Sequence, residues 1–113
     1  WIADYPDPES FLNLFYGKLV PTQKDRPSPI NHTRFQNADF DKLFEAALSE
    51  TDKIKRIELY RKAEQIAIDN APLMALQYDE DYRMLQQYVE GYKNNPMDKR
   101  MYKYVWFNAD IKK

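Results

Sequence analysis

Between Asn37 and Pro72 the chain carries two helical patterns in succession with no proline between them, and nothing else in the sequence constrains the fold as strongly. Phe40, Leu43, Phe44, Ala47 and Leu48 are spaced i, i+3, i+4, i+7, i+8, which places them on one face of a helix that Asn37 can cap. Thr51 is placed to cap a second, longer helix that runs to about Asp69. There Ile57, Leu59, Ala63, Ile66 and Ala67 point inward, while Lys53, Lys55, Arg56 and Glu58 read as a solvated face. Two amphipathic helices joined this closely bury both stripes by packing on each other, so a helical hairpin is predicted. Pro72 ends it.

The flanks are less regular. Trp1-Ile2-Ala3 reads as the end of a buried strand, and Pro6 and Pro8 force the segment from Asp4 to Pro8 into a turn. Pro8 suits the first position of a short helix capped by Asp7, running through Phe11, Leu12 and Phe15 and stopping before Gly17. From Lys18 to Gln36, Pro21, Pro27 and Pro29 stand among polar residues without periodicity, the mark of a long loop. Beyond Pro72, Leu73–Tyr78 reads as a short buried strand, Asp79–Asp81 as a turn, Tyr82–Gly91 as a short strand or helical piece, and Lys103–Phe107 as a last strand. The expected architecture is α/β, one domain over residues 1–113, with the helical hairpin packed on short strands.

Composition excludes several kinds of chemistry. Seventeen basic and eighteen acidic residues nearly cancel, so the chain has no broad positive field for nucleic acid. The aromatic-basic alternation from Lys99 to Tyr104 fits an edge strand as well as a single-strand platform, and nucleic acid is not an expected partner. With no cysteine, disulfides, thiolate metal sites and cysteine nucleophiles are ruled out. His32 is the only histidine, and no catalytic triad, zinc-binding helix or glycine-rich phosphate loop can be assembled around it. Asp79, Glu80 and Asp81 lack the glycine and ligand spacing of a calcium loop and read as a solvated turn. Asp4 and Asp7 could pose as an acid/base pair, yet no nucleophile or metal ligand stands near them in sequence. A non-enzymatic protein without cofactor or metal is expected. No apolar run approaches the roughly 18 to 20 residues that span a bilayer. The abrupt start at Trp1, with no initiator methionine, reads as a cut through a longer polypeptide.

The first eight residues carry the most functional information. An aromatic followed three residues later by a carboxylate, where a strand breaks into a proline turn, sets an apolar plate and an anion at a strand end, where open α/β sheets often hold ligands. The alternative is structural: Trp1 fills the core and Asp4 caps its turn through its own side chain.

Trp1-Ile2-Ala3-Asp4-Tyr5-Pro6-Asp7-Pro8, followed by Phe11-Leu12, resembles the tryptophan-x-alanine-aspartate-tyrosine-x-x-proline signature of the oligopeptide- and dipeptide-binding family (family 5) of ABC-importer solute-binding proteins. Asn31, the run from Asn37 to Leu43, Leu59-Tyr60, Ala63-Glu64-Gln65, Ala71-Pro72 and Val89-x-Gly91-Tyr92 follow the same family's order and spacing. The resemblance covers essentially the whole chain and matches the C-terminal part of the family's usual length. It implies a periplasmic binding protein type II fold, of which this chain forms part of the C-terminal lobe, with the ligand enclosed between lobes that close by hinge motion. It also implies that an extended peptide pairs with the backbone near Trp1 and Ile2 while Asp4 holds the peptide's α-ammonium group. The implied partners are a peptide ligand and the permease subunits in the membrane. The implied location is the periplasm or the cell surface, with a lipid anchor as one mode of attachment and the signal sequence outside this chain. Relatives of this architecture carry nickel complexes, haem, sugars or antibiotics, so a carrier of a metal complex or an oligosaccharide is the alternative within the class. A free-standing helical-hairpin interaction module is the alternative outside it. Asp4 favours peptides, because a carboxylate suits a cationic amine. The loop from Lys18 to Gln36 has more prolines than the best-known members lead one to expect.

Overall fold

The computed structural model describes residues 1–78, 80, 82–95 and 102–111. They fall into two units, Trp1–Ala75 and Leu76–Lys113.

The first unit is helical. A short helix α1 (Glu9–Leu12) continues into a 3-10 turn at Asn13–Phe15, and a second 3-10 turn spans Gly17–Leu19. After the loop come α2 (Ala38–Ser49) and α3 (Lys53–Asn70), which pack together as the expected hairpin. The Asn37 side chain caps α2 by accepting the N–H groups of Asp39 and Phe40, each at 3.0 Å. The cap of α3 is a correction: Asp52, not Thr51, accepts from the N–H groups of Ile54 and Lys55 at 2.9 and 3.1 Å. An aspartate there satisfies the same orphan donors as a threonine and adds a charge that suits the positive end of the helix. Glu50 reinforces it by accepting the Asp52 N–H at 2.9 Å. At the other end Ala71 takes a left-handed conformation (φ 45°), and Pro72 prevents further helix.

Leu12, Phe40, Phe44, Ala47, Tyr60, Ala63 and Ala67 make the core of this unit. The rings of Phe40 and Phe44 stack at 5.9 Å, Tyr60 lies 6.2 Å from Phe44, and Phe15 and Phe35 meet Phe40 edge-on. Ala47 and Ala63, both fully buried, leave room for these rings between the helices. Two of the predicted inward residues, Leu48 and Ile57, stay exposed. Tyr60, absent from the predicted stripe, is only 2% exposed. Its hydroxyl accepts from Arg56 Nη2 at 3.2 Å, so the one polar atom that would resist burial has a partner.

The proline-rich loop is ordered by two side chains. Fully buried Asn31 donates to the carbonyls of Tyr16 and Phe35 at 3.1 and 2.8 Å. Its Oδ1 accepts from the Phe35 N–H at 3.1 Å and from Thr33 Oγ1 at 3.0 Å. Arg34, itself at φ 55°, donates through its guanidinium to the carbonyls of Pro21, Gln23 and Arg26 at 3.2, 3.2 and 3.0 Å. Asn31→Ala strands buried groups whose desolvation is no longer offset and lowers stability by about 1–3 kcal/mol, measured as a fall in the urea midpoint at unchanged slope.

The second unit holds a two-stranded antiparallel sheet. Its strands β1 (Val89–Glu90) and β2 (Trp106–Phe107) pair Val89 with Phe107 and Glu90 with Trp106. The Asn108 N–H extends the ladder to the Tyr88 carbonyl at 2.8 Å. Gly91 is required beside it: its φ is +78°, and a Cβ would run into the Tyr104 carbonyl oxygen and the Trp106 ring.

Here the sequence reading needs correction. Leu73–Tyr78 is no buried strand; Leu73, Met74, Leu76 and Tyr78 are all exposed, and no ladder forms there among the described residues. An apolar run supplies side chains for a strand but not the neighbour that must bond its amides. The piece expected at Tyr82–Gly91 reduces to β1, and the strand expected at Lys103–Phe107 reduces to β2, preceded by a 3-10 turn at Tyr102–Tyr104. The turn predicted at Asp79–Asp81 lies largely outside the described residues, as does the start of the aromatic-basic alternation at Lys99–Met101. The architecture is therefore mixed, a helical core and a small two-stranded sheet.

Candidate ligand-binding site

Trp1 and Ile2 are 69% and 53% exposed, Asp4 is exposed, and between them Ala3 is buried. The predicted strand end is not formed, because nothing pairs with it: among the described residues the backbone of residues 1–3 makes no hydrogen bond. Trp1 does not fill the core, and the side-chain cap of the turn belongs to Asp7, whose Oδ1 accepts the Glu9 N–H at 3.0 Å. Asp4 is held instead by its main chain, its N–H donating to Ser10 Oγ at 3.0 Å.

Three carboxylates stand within ten residues, and two are engaged. Asp7 Oδ2 pairs with Arg56 Nη2 at 2.8 Å, in a partly buried contact with α3. Arg56 also lies over the Tyr60 ring, 5.3 Å from its centroid, and its hydrogen bond to the Tyr60 hydroxyl raises its pKa further. Burial pushes the Tyr60 phenol up. Glu9 Oε2 accepts from the Tyr5 hydroxyl at 2.6 Å, which drives the Tyr5 pKa up to about 12 and keeps that phenol a donor at every physiological pH. Among the described residues the Asp4 carboxylate has no hydrogen-bond or ion-pair partner. Trp1, Ile2 and Asp4 are thus exposed around a buried Ala3, with a carboxylate that has no hydrogen-bond or ion-pair partner among the described residues and an Asp4 amide committed to Ser10.

Sequence reasoning missed the residues that hold this stretch in place. Arg56 reads as one more charge on a solvated helix face, and Ser10 carries no signal at all; only the folded contacts reveal them.

Elsewhere polar side chains pair mainly with one another and with the backbone, while Ser28 Oγ is buried without a hydrogen-bond partner among the described residues. A wide-open hollow of about 430 Å³ is lined by Gly17, Lys18, Val20, Gln36, Asn37, Ala38 and Asp41. Asp41 accepts the Gly17 N–H at 2.8 Å, Asn37 caps α2, and Lys18 pairs with Glu45, which also accepts from the Tyr16 hydroxyl at 2.7 Å. His32 is exposed on the loop. Among the described residues no three histidines, aspartates or glutamates gather as metal ligands, and no helix is long and apolar enough to cross a membrane.

The Glu45 cluster has a pH signature. The hydrogen bond from Lys18, then that from Tyr16, lowers the Glu45 pKa below its ordinary value. A carboxylate with a depressed folded-state pKa contributes stability above its unfolded pKa and loses it as pH falls through the folded value. Melting temperatures recorded from neutral to acid pH therefore fall less steeply in Glu45→Gln than in the parent.

No family model matches the chain. Individual proteins do. It is 35% identical to the oligopeptide-binding protein OppA of Bacillus subtilis over 91 residues, which are 80% of this chain and 15% of the relative. It is 32% identical over 99 residues to the periplasmic oligopeptide-binding protein OppA of Salmonella typhimurium, covering 87% of this chain and 17% of the relative. It is 30% identical over 96 residues to heme-binding protein A of Haemophilus influenzae, covering 85% and 16%. The chain is thus homologous, over most of its length, to the oligopeptide- and dipeptide-binding family of extracytoplasmic solute-binding proteins. It spans about a sixth of the length of these relatives.

Proposed function

We propose that this chain belongs to the substrate-binding component of an ABC importer, a non-enzymatic carrier that captures extended oligopeptides and delivers them to the permease. In this reading it forms part of the C-terminal lobe of a type II binding-protein fold, in the periplasm or at the cell surface, and the remaining polypeptide supplies the facing lobe. The observation that carries the proposal is the state of Asp4, a carboxylate without a hydrogen-bond or ion-pair partner among the described residues, next to exposed Trp1 and Ile2. Lobe closure removes water from that carboxylate, and an isolated buried charge is strongly unfavourable. A ligand ammonium group offsets the penalty, so closure selects a free amino terminus. The amides and carbonyls of Trp1 to Ala3 offer a strand edge to the peptide main chain, which binds without regard to side-chain identity. The names of the relatives in Bacillus and Salmonella agree with a peptide ligand.

A carrier of a non-peptide solute is the second reading, favoured by the similarity to heme-binding protein A. Native mass spectrometry of the full-length protein, purified without added ligand and then denatured, separates the two. Released peptides of mixed sequence support the first reading, and a single non-peptide mass supports the second.

A further inference from the structure

We infer that Ser10 and Arg56 are positioning residues for ligand capture, fixing the backbone on which the Asp4 carboxylate stands. The inference rests on the proposed role of Asp4 in holding an amino terminus. Among the described residues the Asp4 carboxylate has no hydrogen-bond or ion-pair partner, so its placement follows from its main chain. Ser10, buried on α1, accepts the Asp4 N–H at 3.0 Å. The Asp7 N–H donates to the Tyr5 carbonyl at 2.8 Å and closes the turn between them. The Asp7 carboxylate then ties the first turn of α1, through the Glu9 N–H, to Arg56 of α3 at 2.8 Å. Arg56 in turn rests on Tyr60, in the core. Every link from the core to Asp4 is thus a directional contact, and Ser10 and Arg56 secure its two ends. Arg56 has a second effect: it neutralises Asp7, which would otherwise offer the ligand amine a competing anion three residues away.

The test compares dissociation constants of the full-length protein for trialanine and for N-acetyl-trialanine, by calorimetry. The ratio of the two reports recognition of the amine alone. Ser10→Ala and Arg56→Gln are each expected to lower that ratio about threefold to tenfold, with affinity for the acetylated peptide unchanged, and Arg56→Lys to restore part of it. Added to Asp4→Asn, Ser10→Ala is expected to change the ratio no further. Two results overturn the inference while the role of Asp4 stands: an unchanged ratio in Ser10→Ala and Arg56→Gln when Asp4→Asn collapses it, or an equal loss for both peptides. If Asp4→Asn keeps the parent's ratio, or the parent binds neither peptide, the peptide reading itself fails and the inference with it.

Discussion

Phe44→Ala is expected to lower the stability of the helical unit by about 3–5 kcal/mol, the cost of removing a fully buried aromatic ring and leaving a cavity that the surroundings fill only in part. Phe44 sits where the aromatic contacts converge: Phe40 stacks on it, Tyr16 tilts against it at 5.1 Å, and Tyr60 approaches from α3. The backbones of α2 and α3 are fixed by their own caps and cannot close the gap cheaply. The loss is read from chemical denaturation followed by helical circular dichroism. Leu48→Ala on the same helix serves as the comparison, since Leu48 is exposed and its truncation should change stability by less than about 0.5 kcal/mol.

The second large effect concerns binding. In the full-length protein Asp4→Asn should weaken capture of a peptide with a free amino terminus by about 2–5 kcal/mol, the range seen when one partner of a buried charge pair is removed. That corresponds to roughly thirtyfold to several thousandfold in the dissociation constant. Because the Asp4 side chain makes no hydrogen bond or ion pair among the described residues, the substitution should leave the melting temperature of the unliganded protein unchanged. A melting temperature that falls along with the affinity would mean that Asp4 acts through folding, and an unchanged affinity would remove the amine from the account of this site.

The hairpin was legible because its information is local. Of the predicted stripe, Phe40, Phe44 and Ala47 are buried and lie within three turns of the Asn37 cap, while Leu48 and, on α3, Ile57 stay exposed and the α3 cap is Asp52 in place of Thr51. Tyr60 was not legible, since a phenol is read as half-polar until its partner is known, and that partner, Arg56, looked like a surface charge. Leu73–Tyr78 failed for a different reason. A strand is a property of two segments, and no ladder forms along the run among the described residues. The proposed site divides in the same way. Trp1, Ile2 and Asp4 are proposed from a short local pattern, whereas the contacts of Ser10 and Arg56 become visible only once α1 and α3 are folded around them.

Arg34 has a consequence for how freely the long loop can vary. All three hydrogen bonds of its guanidinium end on main-chain carbonyls, at positions 21, 23 and 26. Every amino acid supplies that group, proline included, so Arg34 recognises the path of the chain and is blind to its side chains. Substitutions at those three positions leave the cross-tie intact as long as the path is kept. The extra prolines of this loop are therefore compatible with its order, and sequence drift there can be wide while the shape stays the same.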